Sequence, residues 1–292
     1  MKLVAPSYYK DFTCIADRCR HSCCIGWEID IDHDTYEYYK TVPGEFGDRL
    51  RSGISCEDQP CFRLGKDDRC VFLNDRGLCD IILTLGEDAL CGICSDHPRF
   101  RNFFADRTEM GLGLTCEEAC RLILSENEPM ALVVLEDDGD DAADLDDLQF
   151  FEERGHAIDV LQNRKLTLAE RFSALCEEHL ISEDTASPKE WTEFYRSLER
   201  LDPAWDKCLD TLADADTLTI PEGAKWENLA VYLVYRHSAN YGVADSVAFA
   251  MHGVKIISAM SKLGVEEVCR MWSSEIEYSE ENTDIIMDKL TI

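Results

Sequence analysis

The sequence predicts a mainly α-helical protein with small β-hairpin elements, in which a cysteine-rich, metal-binding N-terminal region packs on a helical bundle. Three observations carry that reading. Twelve of the fifteen cysteines fall in the first 120 residues. A glycine-containing turn between two β-prone runs marks a hairpin among them, and beyond residue 147 the apolar pattern and its caps are helical. The chain accordingly divides into a cysteine-rich region (1–128), a strand with an acidic loop (129–147) and an acidic helical domain (148–292).

The first element is a nest of thiols: Cys14, Cys19, Cys23 and Cys24 lie within eleven residues. A packed core gains little from so many small, reactive side chains, so thiols at this density are held by disulfides, by zinc or by an iron–sulfur cluster. The opening MKLVAPSYYKDF contains no apolar core of signal-peptide length. No later stretch approaches the roughly 18 uninterrupted apolar residues of a membrane span. Both observations predict a cytoplasmic chain without membrane insertion, whose thiols stay reduced and open to metal. A bridge between adjacent Cys23 and Cys24 would close a strained ring.

WEIDI (27–31) alternates like a short strand, and a helix is expected from Asp32. In CVFLNDRGLCDI (70–81) the runs CVFL and LCDI flank Asn74-Asp75-Arg76-Gly77, a hairpin that brings Cys70 and Cys79 together. LTLGEDALCGICSDHPR (83–99) reads as a helix running into Cys91 and Cys94 and stopped by Pro98. Thr115 and Glu118 predict a capped helix that starts at Cys116 and carries Cys120 one turn later. PMALVV (129–134) is strand-like. Eight acids follow in the twelve residues from Glu136 to Asp147, a solvated loop without the ligand register of a calcium-binding EF-hand.

Capping boxes at Thr167 with Glu170 and at Ser187 with Glu190, the latter with Pro188 in a favourable first position, open two helices of the last part. Residues 226–242 place Leu229, Tyr232, Leu233 and Arg236 at helical spacing. Residues 245–264 repeat the pattern, with Val247, Met251, Val254 and Ile257 on one packing face and a glycine at the end.

The charge excludes some partners. With 29 basic and 59 acidic residues the formal net charge is −30, which repels nucleic acid and anionic lipid surfaces and suits a basic protein partner. General solubility is the plainer meaning of the same number. Among metal sites, only Cys91-Gly92-Ile93-Cys94 has CxxC spacing, so a two-by-two zinc knuckle is weakly supported. An irregular local set completed by distant cysteines is one way iron–sulfur clusters gather four thiolates. Spacing alone chooses neither metal. The C-x3-C-x2-C pattern of radical S-adenosylmethionine enzymes is absent, and GLGLTC (111–116) is no nucleotide-binding loop.

The order of the motifs is more specific than any one of them. C-x4-C-x3-CC (14–24) followed by Gly26-Trp27, then CxFL-x3-GLC (70–79), then C-x-x-HPR (94–99) and LTCEEACRL (114–122) resembles the flagellin lysine-N-methylase family. More diffusely it resembles the wider group of zinc- or iron-chelating CxxxCC domains. The first 120 residues carry nearly all of the match, ENLAVYLVYRH (227–237) resembles the family only loosely, and the chain is short for it in the middle. The resemblance implies a [4Fe-4S] cluster, with zinc as the alternative metal, and transfer of methyl from S-adenosylmethionine to lysine ε-amines of flagellin. It carries over Cys14, Cys19, Cys23, Cys24, Cys70, Cys79, Cys94 and Cys116 as metal positions, more than the four ligands of one cluster. Cys56, Cys61, Cys91 and Cys120 fit the order less well, although a second metal would employ them.

Methyl transfer needs a neutral lysine and a group that accepts its proton. Asp30 and Asp32, just after the thiol nest, are the candidate catalytic carboxylates that orient the amine. The plainer reading makes them strand-end acids, with Asp32 capping the next helix. Trp27 is a candidate aromatic wall for a methylated ammonium, and His97 a candidate partner for a cluster sulfur. The competing function is a non-catalytic zinc- or iron-binding interaction module that docks a basic partner. An electron-transfer protein is a third.

Overall fold

The fold is that of a computed structural model, which describes every residue except Glu57, Asp58, Asp140, Asp141, Ala143, Glu183 and Ile292. It is mainly helical with small sheets, the class expected from the sequence. Its contacts divide the chain into two compact units, one of residues 1–12 and 101–292, the other of residues 13–100. These boundaries differ from the sequence division at 128 and 147. The cysteine-rich unit is an insertion within the other, because the first strand pairs with chain from beyond it.

The cysteine-rich unit holds α1 (His33–Thr41), α2 (Gly44–Ser52), a two-stranded ribbon of β2 (Ile54–Ser55) and β3 (Cys61–Phe62), α3 (Asp80–Leu85) and α4 (Gly92–Asp96). Its small core is aromatic at the centre. Phe62 stands edge-on to Phe72 at 5.4 Å and lies 6.2 Å from Tyr39, and Tyr39 donates its hydroxyl hydrogen to the carbonyl of Ala89 at 2.7 Å. Residues 27–31 do not form a regular strand. Ile29 and Ile31 are buried and Asp30 exposed, as alternation requires, but pairing is limited to one bridge between Asp30 and Cys61 because β3 is two residues long. Nor does one helix cover 83–99. Gly86, at φ +93°, ends α3 in a conformation that suits glycine, and the chain restarts as α4 after Cys91.

The larger unit opens with β1 (Lys2–Pro6). A four-stranded sheet has the order β4 (Arg99–Phe103), β5 (Arg107–Leu112), β1 and β6 (Leu132–Asp137). β1 runs parallel to β5, with Lys2 opposite Arg107, and antiparallel to β6 with a register shift between Leu3 and Val4. β6 is the strand expected before the acidic loop, whose Asp140 and Asp141, with the calcium-loop reading, lie outside the described residues. α5 (Glu117–Ser125) begins one residue later than expected. Thr115 hydrogen-bonds Ser274 at 3.0 Å and Glu118 pairs with Arg121, so the foreseen capping box does not form.

From α6 (Leu145–Leu161) onward the unit is helical, and Asp144 within the acidic run caps α6 through the N–H of Asp147. α7 (Leu168–His179) and α8 (Pro188–Ser197) open with the two expected capping boxes. α9 (Trp205–Ala213), α10 (Ala224–Tyr241), α11 (Val243–Ala259), α12 (Val265–Trp272) and α13 (Glu280–Leu290) follow. α10 and α11 form the centre. Val247, Met251, Val254 and Ile257 are all buried, so that stripe is packing. Gly253 lets α11 approach α10: a Cβ there would stand 2.9 Å from a methyl of Leu233.

Candidate functional site

Six of the cysteines gather in the cysteine-rich unit. The loop at Cys23 and Cys24 is tied to the segment that leads into the hairpin by backbone bonds from Cys70 N–H to the Cys24 carbonyl (2.9 Å) and from Gly26 N–H to the Asp68 carbonyl (3.0 Å). The hairpin forms at the foreseen turn. Asn74 Oδ1 accepts from the N–H groups of Arg76 and Leu78, and Leu73 bridges Cys79. Its second run, LCDI, pairs only at Cys79 before it winds into α3.

The ionisation preferences of these thiols show how close they stand. The S–H of Cys23 donates to Cys24 and, helped by Ser22 and the positive charge of Arg69, brings Cys24 down to about 7 against the penalty of burial. Burial pushes Cys70 up to about 11 and also raises Cys79, and the charge of Cys24 adds to both. Cys94 donates its S–H to Cys91, which lowers Cys91 and raises Cys94. Cys24 and Cys23 raise Cys94 further. Six thiols thus share one locale in which ionising one penalises the next.

Backbone N–H groups temper that repulsion. Cys79 and Cys91 stand immediately before α3 and α4, so the N–H groups of Ile81 and Ile82 and those of Ile93 and Cys94 face their sulfurs. They are too far for a close cap but near enough to favour thiolate. In donor chemistry this set fits a soft metal ion or an iron–sulfur cluster, whose positive charge would relieve the mutual penalty. Among the described residues, however, no three His, Cys, Asp or Glu side chains are drawn together as a metal ion requires.

The other sequence candidates lie as follows. Cys14 is exposed, and Cys19 directs its S–H to the carbonyl of His21 at 3.3 Å. Cys116 belongs to the larger unit, just before α5. Cys91, which fitted the motif order less well, stands with Cys94 in the thiol group; its CxxC spacing was the signal that could have placed it there. Cys56 meets the Tyr36 hydroxyl at 3.1 Å, and Cys120 is buried against Cys269 in the larger unit.

Asp32 caps α1 as the plainer reading had it. Its Oδ1 accepts from Thr35 N–H at 2.9 Å, and its Oδ2 accepts from Gly92 N–H at 2.8 Å, the first residue of α4. Those bonds, Gly92 first, hold its carboxyl below the ordinary carboxylate range. Asp32→Ala should therefore cost about 1 kcal/mol or somewhat more, read by urea denaturation, whereas Asp32→Asn should keep most of the cap. Because the folded pKa is depressed, the contribution is complete above the unfolded value of about 3.9 and fades as pH falls through the folded one. Asp30 is exposed. Trp27, 40% exposed, is anchored by its indole N–H to the Cys23 carbonyl at 2.9 Å. Burial, with Arg99 beside it, takes His97 down to about 4 and leaves it neutral.

The larger unit contains a polar cluster that sequence reasoning missed. A π-helical turn at Ser273–Glu277 carries Glu277, fully buried, to His237 Nε2 at 2.8 Å, to the Tyr232 hydroxyl at 3.1 Å and to Arg236 Nε at 3.1 Å. Burial opposes its charge, but Arg236 and His237 prevail and lower its pKa. Helical spacing placed Tyr232 and Arg236 on α10; nothing in the sequence marked an irregular turn 40 residues on as their partner.

Part of the chain is similar to known proteins. The chain is 30% identical over 137 residues to the lysine-N-methylase of Salmonella choleraesuis (strain SC-B67), covering 44% of this chain and 33% of that protein. Over that stretch the chain is similar to a lysine-N-methylase. The same figures hold for the lysine-N-methylase of Salmonella typhimurium (strain LT2). The flagellar biosynthetic protein FliU of Salmonella muenchen is 29% identical over the same length, 79% of its own. The match thus spans a third of the lysine-N-methylases. No family model and no solved structure matches the chain.

Proposed function

We propose that the protein is an iron–sulfur-dependent protein lysine N-methyltransferase that moves a methyl group from S-adenosylmethionine to lysine ε-amines of a flagellar protein, flagellin foremost. The observation that carries this reading is the gathering of Cys23, Cys24, Cys70, Cys79, Cys91 and Cys94 in a chain similar over part of its length to lysine-N-methylases. The flagellar substrate rests on the name of the FliU relative. The surplus of acid, 59 residues against 29 basic, suits a lysine-bearing partner. Among the described residues no helix is long and apolar enough to cross a membrane, and a reducing cytoplasm is the compartment in which so many thiols would stay open to metal.

Four of the six gathered thiols would hold a [4Fe-4S] cluster, with Cys14, Cys19 and Cys116 as further candidates from the motif order. When bound, the cluster would supply redox-active, cationic iron beside the loop at 23–31. The chain's own residues do the rest. Trp27, fixed by the Cys23 carbonyl, offers a flat wall for the methylene stem and methylated amine of lysine. Asp30 and Asp32 draw the ammonium in. Asp32 already accepts from Thr35 and Gly92, so Asp30 is the better placed to take the proton that leaves the amine. The amine nitrogen then forms its bond to the methyl carbon as the carbon–sulfur bond of the sulfonium breaks.

Anaerobic purification tests the reading. The expected protein is brown, contains iron and sulfide, and transfers labelled methyl from S-adenosylmethionine to flagellin lysines. A colourless, zinc-loaded protein without methyl transfer would overturn it and leave the metal-stabilised interaction module. Asp30→Asn is expected to lower methyl transfer by about 10²-fold while metal content stays unchanged.

A further inference from the structure

The larger unit contains a cavity of about 140 Å³ bounded by α8, α11, α13 and the segment after α7. Trp191 and Met251 form its apolar wall, and Asp184, His252, Lys255 and Lys289 line the rest. In a chain of net charge −30 this is an inverted neighbourhood, with two lysines against one aspartate. The aspartate is divided between the aromatic wall and His252. Asp184 Oδ2 accepts from the indole N–H of Trp191 at 2.7 Å and Oδ1 from Ala186 N–H at 2.9 Å, so it braces the aromatic wall. Lys289 Nζ lies 5.1 Å from the centre of the Trp191 ring and 4.7 Å from that of Phe194.

His252 supplies the observation that points to a ligand. It is 2% exposed, and its Nε2 stands 2.9 Å from the Tyr195 hydroxyl. An indole N–H can only donate, so Tyr195 accepts from Trp272 Nε1 at 3.2 Å and passes its own hydrogen to Nε2. Burial keeps the imidazole neutral, which puts its one N–H on Nδ1. That buried donor faces Asp184 Oδ2 at 3.8 Å, beyond a close hydrogen bond, so the carboxylate attracts it without fully satisfying it and no nearer acceptor stands among the described residues. Buried donors without close acceptors are rare and costly. Here the missing acceptor is also what the two lysines would attract.

We propose that this cavity binds a small organic carboxylate, whose charged end is taken by His252 Nδ1–H and the ammonium groups of Lys255 and Lys289 while its apolar body lies against Trp191 and Met251. The volume limits the ligand. It is well below the roughly 300 Å³ at which drug-sized pockets begin, so S-adenosylmethionine does not fit and a short branched or aromatic acid does. The site is independent of the thiol group and of the proposed methyl transfer.

Isothermal titration of the full-length protein with isovalerate, isovaleramide and inorganic phosphate tests the proposal. Saturable isovalerate binding in the millimolar range is expected, at least about tenfold tighter than the uncharged amide and tighter than phosphate. Lys255→Met and Lys289→Met alter partly or fully exposed side chains and should leave the circular dichroism spectrum unchanged. Each should weaken isovalerate at least about fivefold, and the two together should abolish it. Absence of saturable binding up to about 10 mM, equal affinity for acid and amide, a preference for phosphate, or an unaffected double variant would each overturn it.

Discussion

Serine in place of both Cys23 and Cys24 is expected to reduce the metal of anaerobically prepared protein to background. Cys24 is brought down to about 7 because Cys23 donates to it. Its carbonyl accepts from Cys70 N–H at 2.9 Å, so the same residue fixes the loop on the segment that supplies Cys70 and Cys79. A serine hydroxyl stays protonated at neutral pH and is a poor ligand for soft metals. Metal bound by thiolates contributes on the order of 10 kcal/mol to small metal-dependent folds, so soluble yield should fall as well. Metal analysis and the absorption spectrum, with Cys208→Ser in the larger unit as the control, provide the measurement. Metal content equal to that of the unaltered protein would remove Cys23 and Cys24 from the ligand set.

Loss of Glu109 is the second large effect. Glu109 on β5 and Arg154 on α6 form a two-pronged ion pair, 2.6 Å at each contact, with side chains 0% and 2% exposed. The guanidinium is enclosed by Phe150, Phe151 and Tyr235 at 4.9, 5.6 and 5.1 Å from the ring centres. Glu109→Ala leaves this cation buried without its partner and should destabilise the protein by about 3–5 kcal/mol. Replacing both members, Glu109→Leu with Arg154→Met, should recover most of that loss because no charge is then stranded. Urea denaturation of the two variants decides the point. A double variant as unstable as the single one would show that the pair itself, rather than the stranded charge, carries the stability.

What could be read from the sequence was what neighbouring residues decide. The capping boxes at Thr167 and Ser187, the turn at 74–77, the strand before the acidic run and the buried stripe on α11 each depend on residues within a few positions of one another. Expectations failed where a distant contact outweighed a local signal. Thr115 and Glu118 have the spacing of a capping box, yet Ser274 and Arg121 take their side chains. WEIDI alternates, but a two-residue partner strand cannot turn that alternation into a ladder. In the candidate site, motif order pointed to five of the six gathered thiols, Cys23, Cys24, Cys70, Cys79 and Cys94. Cys91 was passed over because the motif order was weighed above its CxxC spacing to Cys94, the local signal that pairs the two. The Glu109–Arg154 pair and the Glu277 cluster each join residues 40 or more positions apart, beyond the reach of periodicity.

The parallel pairing of β1 with β5 sets an order of events during synthesis. Lys2 finds its partner at Arg107, so β1 leaves the ribosome more than a hundred residues ahead of the strand it pairs with. All of residues 13–100 emerge in that interval. The cysteine-rich unit therefore has the opportunity to acquire its fold, and any metal it takes, while the sheet that will anchor both its ends does not yet exist. Once β1 and β5 join, the insert becomes a closed loop. Metal starvation during translation and metal removal from the finished protein are then different perturbations: the first disturbs an unanchored segment, the second one whose ends are already held.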